Sequence, residues 1–368
     1  MRQEQLPPED GATEVAPGVV RLQLPIMLPG LGHVNCYVLE DDRGVTLVDP
    51  GLPGPEAHAE LTRRLSDAGY PITRVHTVLV THSHPDHFGG AGRLKAEHRC
   101  EVIAHEAFST PFTADPLTDG DLDELIDVGS ETPARPTTLR EVLFGDGDLP
   151  EIPPRITPWG GEGFRPSHAE LEHMRNWDQL SKEGLLSLDP TVRVADDEVV
   201  RLGTGEWLVV HTPGHTGDHI CLFDPAHGTL LSGDHVLPTI TPHISGMAPG
   251  TDSLAQFFAA LERVAAIDGV TQVLPAHGLP FSDLAGRVDE IVEHHGERLA
   301  LLAGFADELG DADVTSYSHR LFRERSWGPM AESETFAHLE HLRLQGRVSA
   351  HRDERGQLRY RPLGRPAA

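Results

Sequence analysis

Apolar and polar positions alternate along residues 19–24 (Val-Val-Arg-Leu-Gln-Leu) and again along 34–39, the period-two signature of half-buried strands. Between them, residues 25–32 predict a turn-rich connection. Asp41-Asp42-Arg43-Gly44 predicts a hairpin turn into the strand 45–48, which ends on Asp49-Pro50-Gly51. Helical spacing then covers 56–68. The short apolar run 77–80 predicts a buried strand, followed by a helix near 90–97 and a strand at 100–104. Strands and helices in alternation at this spacing predict an α/β layered fold.

The pattern breaks over residues 106–180. Within it, residues 115–151 carry eleven acids against two arginines and show no sustained period. A loop-rich insertion of that length inside a folded domain usually has a function, and it is expected to cap an active face. Strand signals return at 192–194, 199–202, 207–210, 220–223, 229–231 and 270–274, with an amphipathic helix at 253–266. Beyond Phe281 the character changes to three helical segments, 287–309, 317–323 and 335–344, the last closed by Gly346. A terminal hairpin, 348–351 with 358–361, completes a winged-helix-like pattern. The expected organisation is therefore a catalytic domain at 12–285 carrying the 106–180 insertion, and a C-terminal domain at 286–368. Residues 1–11, rich in proline and acid, are expected to form a disordered lead-in.

Composition narrows the function classes. No apolar run approaches the roughly 18–20 residues of a bilayer span, and the polar start of the chain has no secretory pattern, so no membrane role and a cytoplasmic location are expected. Cys36, Cys100 and Cys221 are few, odd in number and widely spaced, which predicts buried free thiols. A net charge of −27 opposes polyanions at long range, although residues 335–368 hold seven arginines against three acids. A small-molecule substrate is favoured over nucleic acid, and pairing of two chains is left open.

The chemistry is concentrated at Thr81-His82-Ser83-His84-Pro85-Asp86-His87-Phe88-Gly89-Gly90, directly after an apolar strand. Packing does not call for several adjacent titratable groups, because each buried polar atom needs a partner or costs roughly 1–3 kcal/mol. Imidazole nitrogens and carboxylate oxygens are what zinc and related divalent ions accept. Four other strand ends also finish on such groups: Asp49, His215, Asp234 and His277. In layered α/β proteins strand ends meet on one rim.

In this order, H-x-H-x-D-H, T-P-G-H-T, S-G-D and P-A-H-G resemble the metallo-β-lactamase fold superfamily, over residues 12–285 apart from the insertion. The resemblance implies a four-layer αββα fold and two divalent ions, zinc first, with manganese or iron as alternatives. It implies His82, His84 and His215 on one ion, Asp86, His87 and His277 on the other, and Asp234 bridging them. Asp86 and Asp234 are then the catalytic acids. Asp49 is expected outside the ligand shell, orienting an imidazole, while His219 and His235, beside the motifs, are expected to support the ligands or touch substrate. Other histidines, His33 among them, are assigned to surface or core. Two ions about 3.5–4 Å apart can share a water-derived hydroxide at neutral pH, which attacks a carbonyl or phosphoryl centre. The lactamase-beta-2-like and glyoxalase II-like group is most similar. It leaves three activities open: hydrolysis of a small ester or thioester, single-strand endoribonuclease action, and a mono-iron persulfide dioxygenase-like reaction. The acidic chain favours the first.

Overall fold

Seven strands lie side by side in chain order in one sheet: β1 (Ala12–Ala16), β2 (Val19–Leu28), β3 (Leu31–Glu40), β4 (Val45–Val48), β5 (Val75–Leu79), β6 (Glu101–His105) and β7 (Val192–Val194). The computed structural model describes residues 2–28, 30–110, 157–160, 188–246 and 252–363. β1 to β4 form an antiparallel meander, whereas β4 to β7 run parallel. Parallel neighbours need crossovers: α1 (Pro55–Asp67) lies between β4 and β5, and α2 (Pro85–Phe88) with α3 (Ala91–His98) between β5 and β6, while most of the connection from β6 to β7 lies outside the described residues. A second sheet has the order β12-β11-β10-β9-β8, from β8 (Val199–Leu202), β9 (Gly205–His211), β10 (Ile220–Asp224), β11 (Thr229–Gly233) and β12 (Gln272–Pro275).

Alternation along the strands decides where each face goes. On the first sheet Leu22, Val38, Leu47 and Val78 face Leu61 and Leu65 of α1 and Leu94 of α3. On the other face Tyr37, Leu39, Val48 and Leu79 share a core with Trp207, Val209, Ile220, Leu222 and Leu274 of the second sheet. A one-residue slip would turn every one of these side chains to the wrong face. The layered α/β prediction therefore holds, with two sheets packed on one another and helices against the first.

The chain divides into two compact units. One contains the two sheets and closes with residues 259–289; the other takes 157–160, 243–258 and the chain from Glu290 onward. The second unit holds most of α5 (Leu284–Leu309), then β13 (Ala312–Asp313), α6 (Val314–Leu321), α7 (Pro329–Leu344), β14 (Val348–Arg352) and β15 (Leu358–Pro362). Its strands form a sheet in the order β13-β15-β14. Tyr317 and Tyr360 are fully buried within it, and the Tyr360 hydroxyl donates to Glu340 at 2.6 Å. Helix α4 (Ser253–Ala265) precedes β12.

Several expectations change. Residues 2–11 are ordered: Gln3–Gln5 forms a 3-10 turn, and Glu4 is fully buried. The predicted connection at 25–32 is instead the end of one long hairpin, with Pro25 opposite His33. Pro25 is tolerated because β1 pairs with β2 only as far as Leu22, so the outer edge beyond it meets no described strand and a missing N–H costs nothing there. Helix α7 starts six residues before the predicted Thr335, with Pro329 at its first position, a proline that opens a helix rather than breaking it. Apart from 106–110 and 157–160, the expected acidic cap lies outside the described residues.

Candidate metal centre

Strand ends of both sheets deliver the polar groups to one place. β4 and β5 run parallel and in register, Val48 beside Leu79, so Asp49 and Thr81 emerge together. Asp49 takes a left-handed backbone, φ 56°, which aspartate tolerates better than most residues. Its carboxylate accepts from the Thr81 N–H (2.9 Å), the Thr81 hydroxyl (2.7 Å) and the His87 Nδ1–H (2.8 Å). Asp49 therefore holds the His87 ring while belonging to neither donor group. Thr81, unnoticed in the sequence, is the hub: its oxygen also receives the His82 Nδ1–H at 3.0 Å.

Each of these bonds fixes a tautomer and leaves the opposite nitrogen bare. His82 and His87 have Nδ1 occupied, and His277 donates its Nδ1–H to the His33 carbonyl at 2.6 Å. The Nε2 atoms of all three are buried with no hydrogen-bond partner, as is Oδ1 of Asp234. Orphaned buried acceptors in such number are costly unless something electrophilic sits among them. His84 Nδ1 and His215 Nε2 face each other at 3.1 Å.

The donors fall into two groups, each with its ligand atoms within 4.8 Å of one another: His82, His84, His215 and Asp234, and separately Asp86, His87 and His277. Asp234 lies between them. Its Oδ2 is 3.4 Å from His215 Nε2, and its Oδ1 is 3.3 Å from His277 Nε2. Asp86 Oδ2 is 3.5 Å from both His87 Nε2 and His277 Nε2. All seven predicted ligand residues are thus brought together, and the donor set fits divalent ions of the zinc type.

Electrostatics agrees with the geometry. Burial, followed by the His87 and His84 rings, drives the His82 imidazole well below its usual range, and burial with His215 pushes His84 down to about 3. Both rings are therefore neutral and able to ligate at neutral pH. Burial alone would also lower His87, but Asp86, Asp234 and Asp49 outweigh it and push that imidazole well above its usual range, the mark of surroundings that favour positive charge. Burial would raise Asp86, yet His87 and His277 bring it down to about 2. The carboxylates thus create a negative pocket that favours a cation.

His219 supports the site without joining either donor group. Its Nδ1–H donates to Thr212 Oγ1 at 2.7 Å, and its Nε2 receives the Asp234 amide at 3.0 Å. Gly233 makes that approach possible: φ is 51°, and a Cβ there would lie 2.5 Å from His219 Nε2. His235 sits behind His219, ring centroids 5.9 Å apart, and belongs to neither donor group. Asp218, also missed, is buried and accepts from the Ser83 hydroxyl at 3.0 Å, tying the loop between His82 and His84 to the loop after His215.

Residues 29–277 match the family described as the Metallo-beta-lactamase superfamily. The chain belongs to the metallo-beta-lactamase superfamily. Most members of that superfamily are hydrolases, and this chain carries His/Asp groups that could hold a metal. Among curated proteins, the chain is 25% identical to the beta-lactamase-like protein 2 homolog of Drosophila melanogaster, over 88% of this chain and 87% of that one. Among solved structures, it is similar to a metallo-beta-lactamase family protein from Thermus thermophilus, with TM-score 0.67, 25% identity and coverage of 95% and 100%. A beta-lactamase domain protein from Burkholderia ambifaria gives TM-score 0.67 at 26% identity, covering 97% and 96%.

Proposed function

We propose that the chain is a binuclear metal-dependent hydrolase acting on a small ester-like or thioester-like molecule. The observation that carries this reading is the position of Asp234, whose two oxygens face His215 of one donor group and His277 of the other. Two ions held by these groups would supply a water-derived nucleophile at neutral pH and polarise the scissile group. Asp86 orients the attacking water and holds its proton. Asp234 sets the spacing between the two halves of the centre, and His219 fixes the Asp234 backbone. The orphaned nitrogens of His87 and His277 in the second group support two ions over one, and so weigh against a mono-iron reaction.

For the catalytic unit the proposed architecture is the four-layer αββα form, and for the C-terminal helices and hairpin a winged-helix-like module. The runner-up, an endoribonuclease guided by the arginine-rich end, is less favoured for a specific reason. Arg343 is paired with Glu340 at 2.7 Å, Arg359 with Asp311 at 3.4 Å, and Arg352 donates to the carbonyls of Gly356 and Pro158. Those guanidiniums already have partners.

Elemental analysis of protein purified without added metal is expected to give close to two ions per chain. A side-by-side assay of acyl thioesters, lactones and single-stranded RNA, with zinc or manganese, is expected to show turnover of an ester or thioester. One tightly held iron, or rapid RNA cleavage that vanishes when residues 335–368 are deleted, would overturn the reading.

A further inference from the structure

The turn Gln3–Gln5 is locked onto two loops that carry residues of the centre. Glu4 accepts from the amides of Thr239 and Ile240, at 2.7 and 3.1 Å, and from the Thr239 hydroxyl, in the loop that follows Asp234. Gln3 Oε1 receives the Leu279 N–H at 2.9 Å, two residues beyond His277. The Leu6 carbonyl receives the His33 Nδ1–H at 2.9 Å, and the Gly278 N–H donates to His33 Nε2 at 3.0 Å. The His33 ring is thus gripped on both nitrogens, while its own carbonyl takes the His277 Nδ1–H at 2.6 Å.

The fit leaves no slack. A Cβ on Gly278, where φ is 85°, would lie 2.7 Å from Pro238 Cγ and 3.3 Å from Glu4 Cγ; one on Gly32 would lie 2.2 Å from the Leu6 carbonyl oxygen. These are small residues because the turn is pressed against them. By contrast, His82 is aimed through Thr81, and His84 and His215 face each other, with no bond to the turn.

The geometry points to residues 3–6 together with His33 as a clasp that positions His277, and so sets the affinity of one ion position selectively, the one formed by Asp86, His87 and His277. A carbonyl on Nδ1 fixes which nitrogen of an imidazole faces a metal and where it points, and such outer partners are worth about 10–100-fold in metal affinity. The clasp rests on the two-ion reading above. Its residues are positioning residues, since none belongs to either donor group.

Calorimetric titration of metal-stripped, full-length protein with zinc tests it, using Glu4→Ala, His33→Ala and Glu4→Gln. Two binding steps are expected for the unaltered protein. Glu4→Ala and His33→Ala each weaken one step by about 10–100-fold and leave the other within about twofold. The two changes combined are no worse than either alone, because they act through one chain of contacts. Glu4→Gln keeps an oxygen for the Thr239 and Ile240 amides and restores most of the loss. Cobalt(II) absorption is expected to change for the weakened position only. Should Glu4→Ala not fold, His33→Ala carries the same expectation. A single step in the unaltered protein overturns the two-ion reading and the selectivity with it. Two normal steps that the variants leave unchanged, or weaken alike, overturn the clasp alone.

Discussion

Two histidine clusters bring ring nitrogens to nearly the same separation. His84 Nδ1 and His215 Nε2 are 3.1 Å apart; in the second unit His295 Nδ1 and His338 Nε2 are 3.0 Å apart. Around the second pair the roles close on protein partners except at His295 Nε2, which is buried without one. His338 donates its Nδ1–H to the Glu334 carbonyl at 2.7 Å, so its Nε2 is free to accept from His295. The Glu334 carboxylate faces Arg298 and lies 3.7 Å from His243 Nδ1. Burial brings His295 down to about 3 and His338 to about 4, so both rings are neutral. Around the first pair the carboxylates of Asp86 and Asp234 meet no guanidinium of the described residues, and three imidazole nitrogens beside them are orphaned. Histidine density is therefore a poor guide by itself. What separates the candidate metal centre from the packed polar cluster is uncompensated negative charge, since bare imidazole nitrogens occur in both, three against one.

The largest test of that contrast is Asp234→Asn. It removes the charge shared by the two donor groups, and kcat/KM on the best ester substrate is expected to fall by about 10³-fold or more, the rate equivalent of the several kcal/mol a metal contributes. Metal content should fall with it while circular dichroism stays native. Retained turnover would remove Asp234 from the reaction.

Arg298→Met probes the other cluster. It leaves Glu334 buried without its cation and is expected to cost about 2–3 kcal/mol at pH 7, read as a lowered urea midpoint, the low end for a buried pair because the guanidinium is partly solvated. Metal content should not change; uptake of an extra ion would mean that the guanidinium alone keeps metal out. The pH dependence has a defined sign. Burial would raise Glu334, but the His243 hydrogen bond and the Arg298 charge outweigh it and hold it at about 2 against an ordinary 4.5. Its contribution is present above pH 4.5 and is lost as pH falls toward 2, so the gap between the unaltered protein and Arg298→Met should shrink in that window.

Ser83→Ala gives the smallest effect. It removes one donor to Asp218 and leaves every ligand in place, so zinc affinity is expected to weaken by about two- to threefold, the lower range for a single hydrogen bond. A loss as large as that from Asp234→Asn would make Asp218 a member of the centre rather than a tie between loops.

The seven residues that come together were legible because each follows an apolar strand and the four motifs occur in a fixed order. What the sequence hid has physical causes. Residues 2–11 have the polar, proline-rich composition of a flexible segment, and the burial of Glu4 is decided by Thr239 and Ile240, more than two hundred residues away. His33 escaped because its contribution to His277 is a backbone carbonyl, which no side-chain pattern announces. Asn35 escaped for another reason: its side-chain amide donates to the Pro275 and Gly278 carbonyls, across from one sheet to the other, so its partners lie outside any local period. The last helix extends six residues ahead of the predicted segment 335–344, because Pro329 at its first position opens a helix rather than stopping one.

Gly233 ends β11 one residue before Asp234, carries no functional group, and leaves 2.5 Å where a Cβ would meet His219 Nε2. In a saturation library scored for survival of activity, that position should tolerate as few replacements as any ligand. Its intolerance would come from crowding and from the left-handed backbone at that position, so added metal would rescue weakened ligand variants and leave Gly233 replacements inactive.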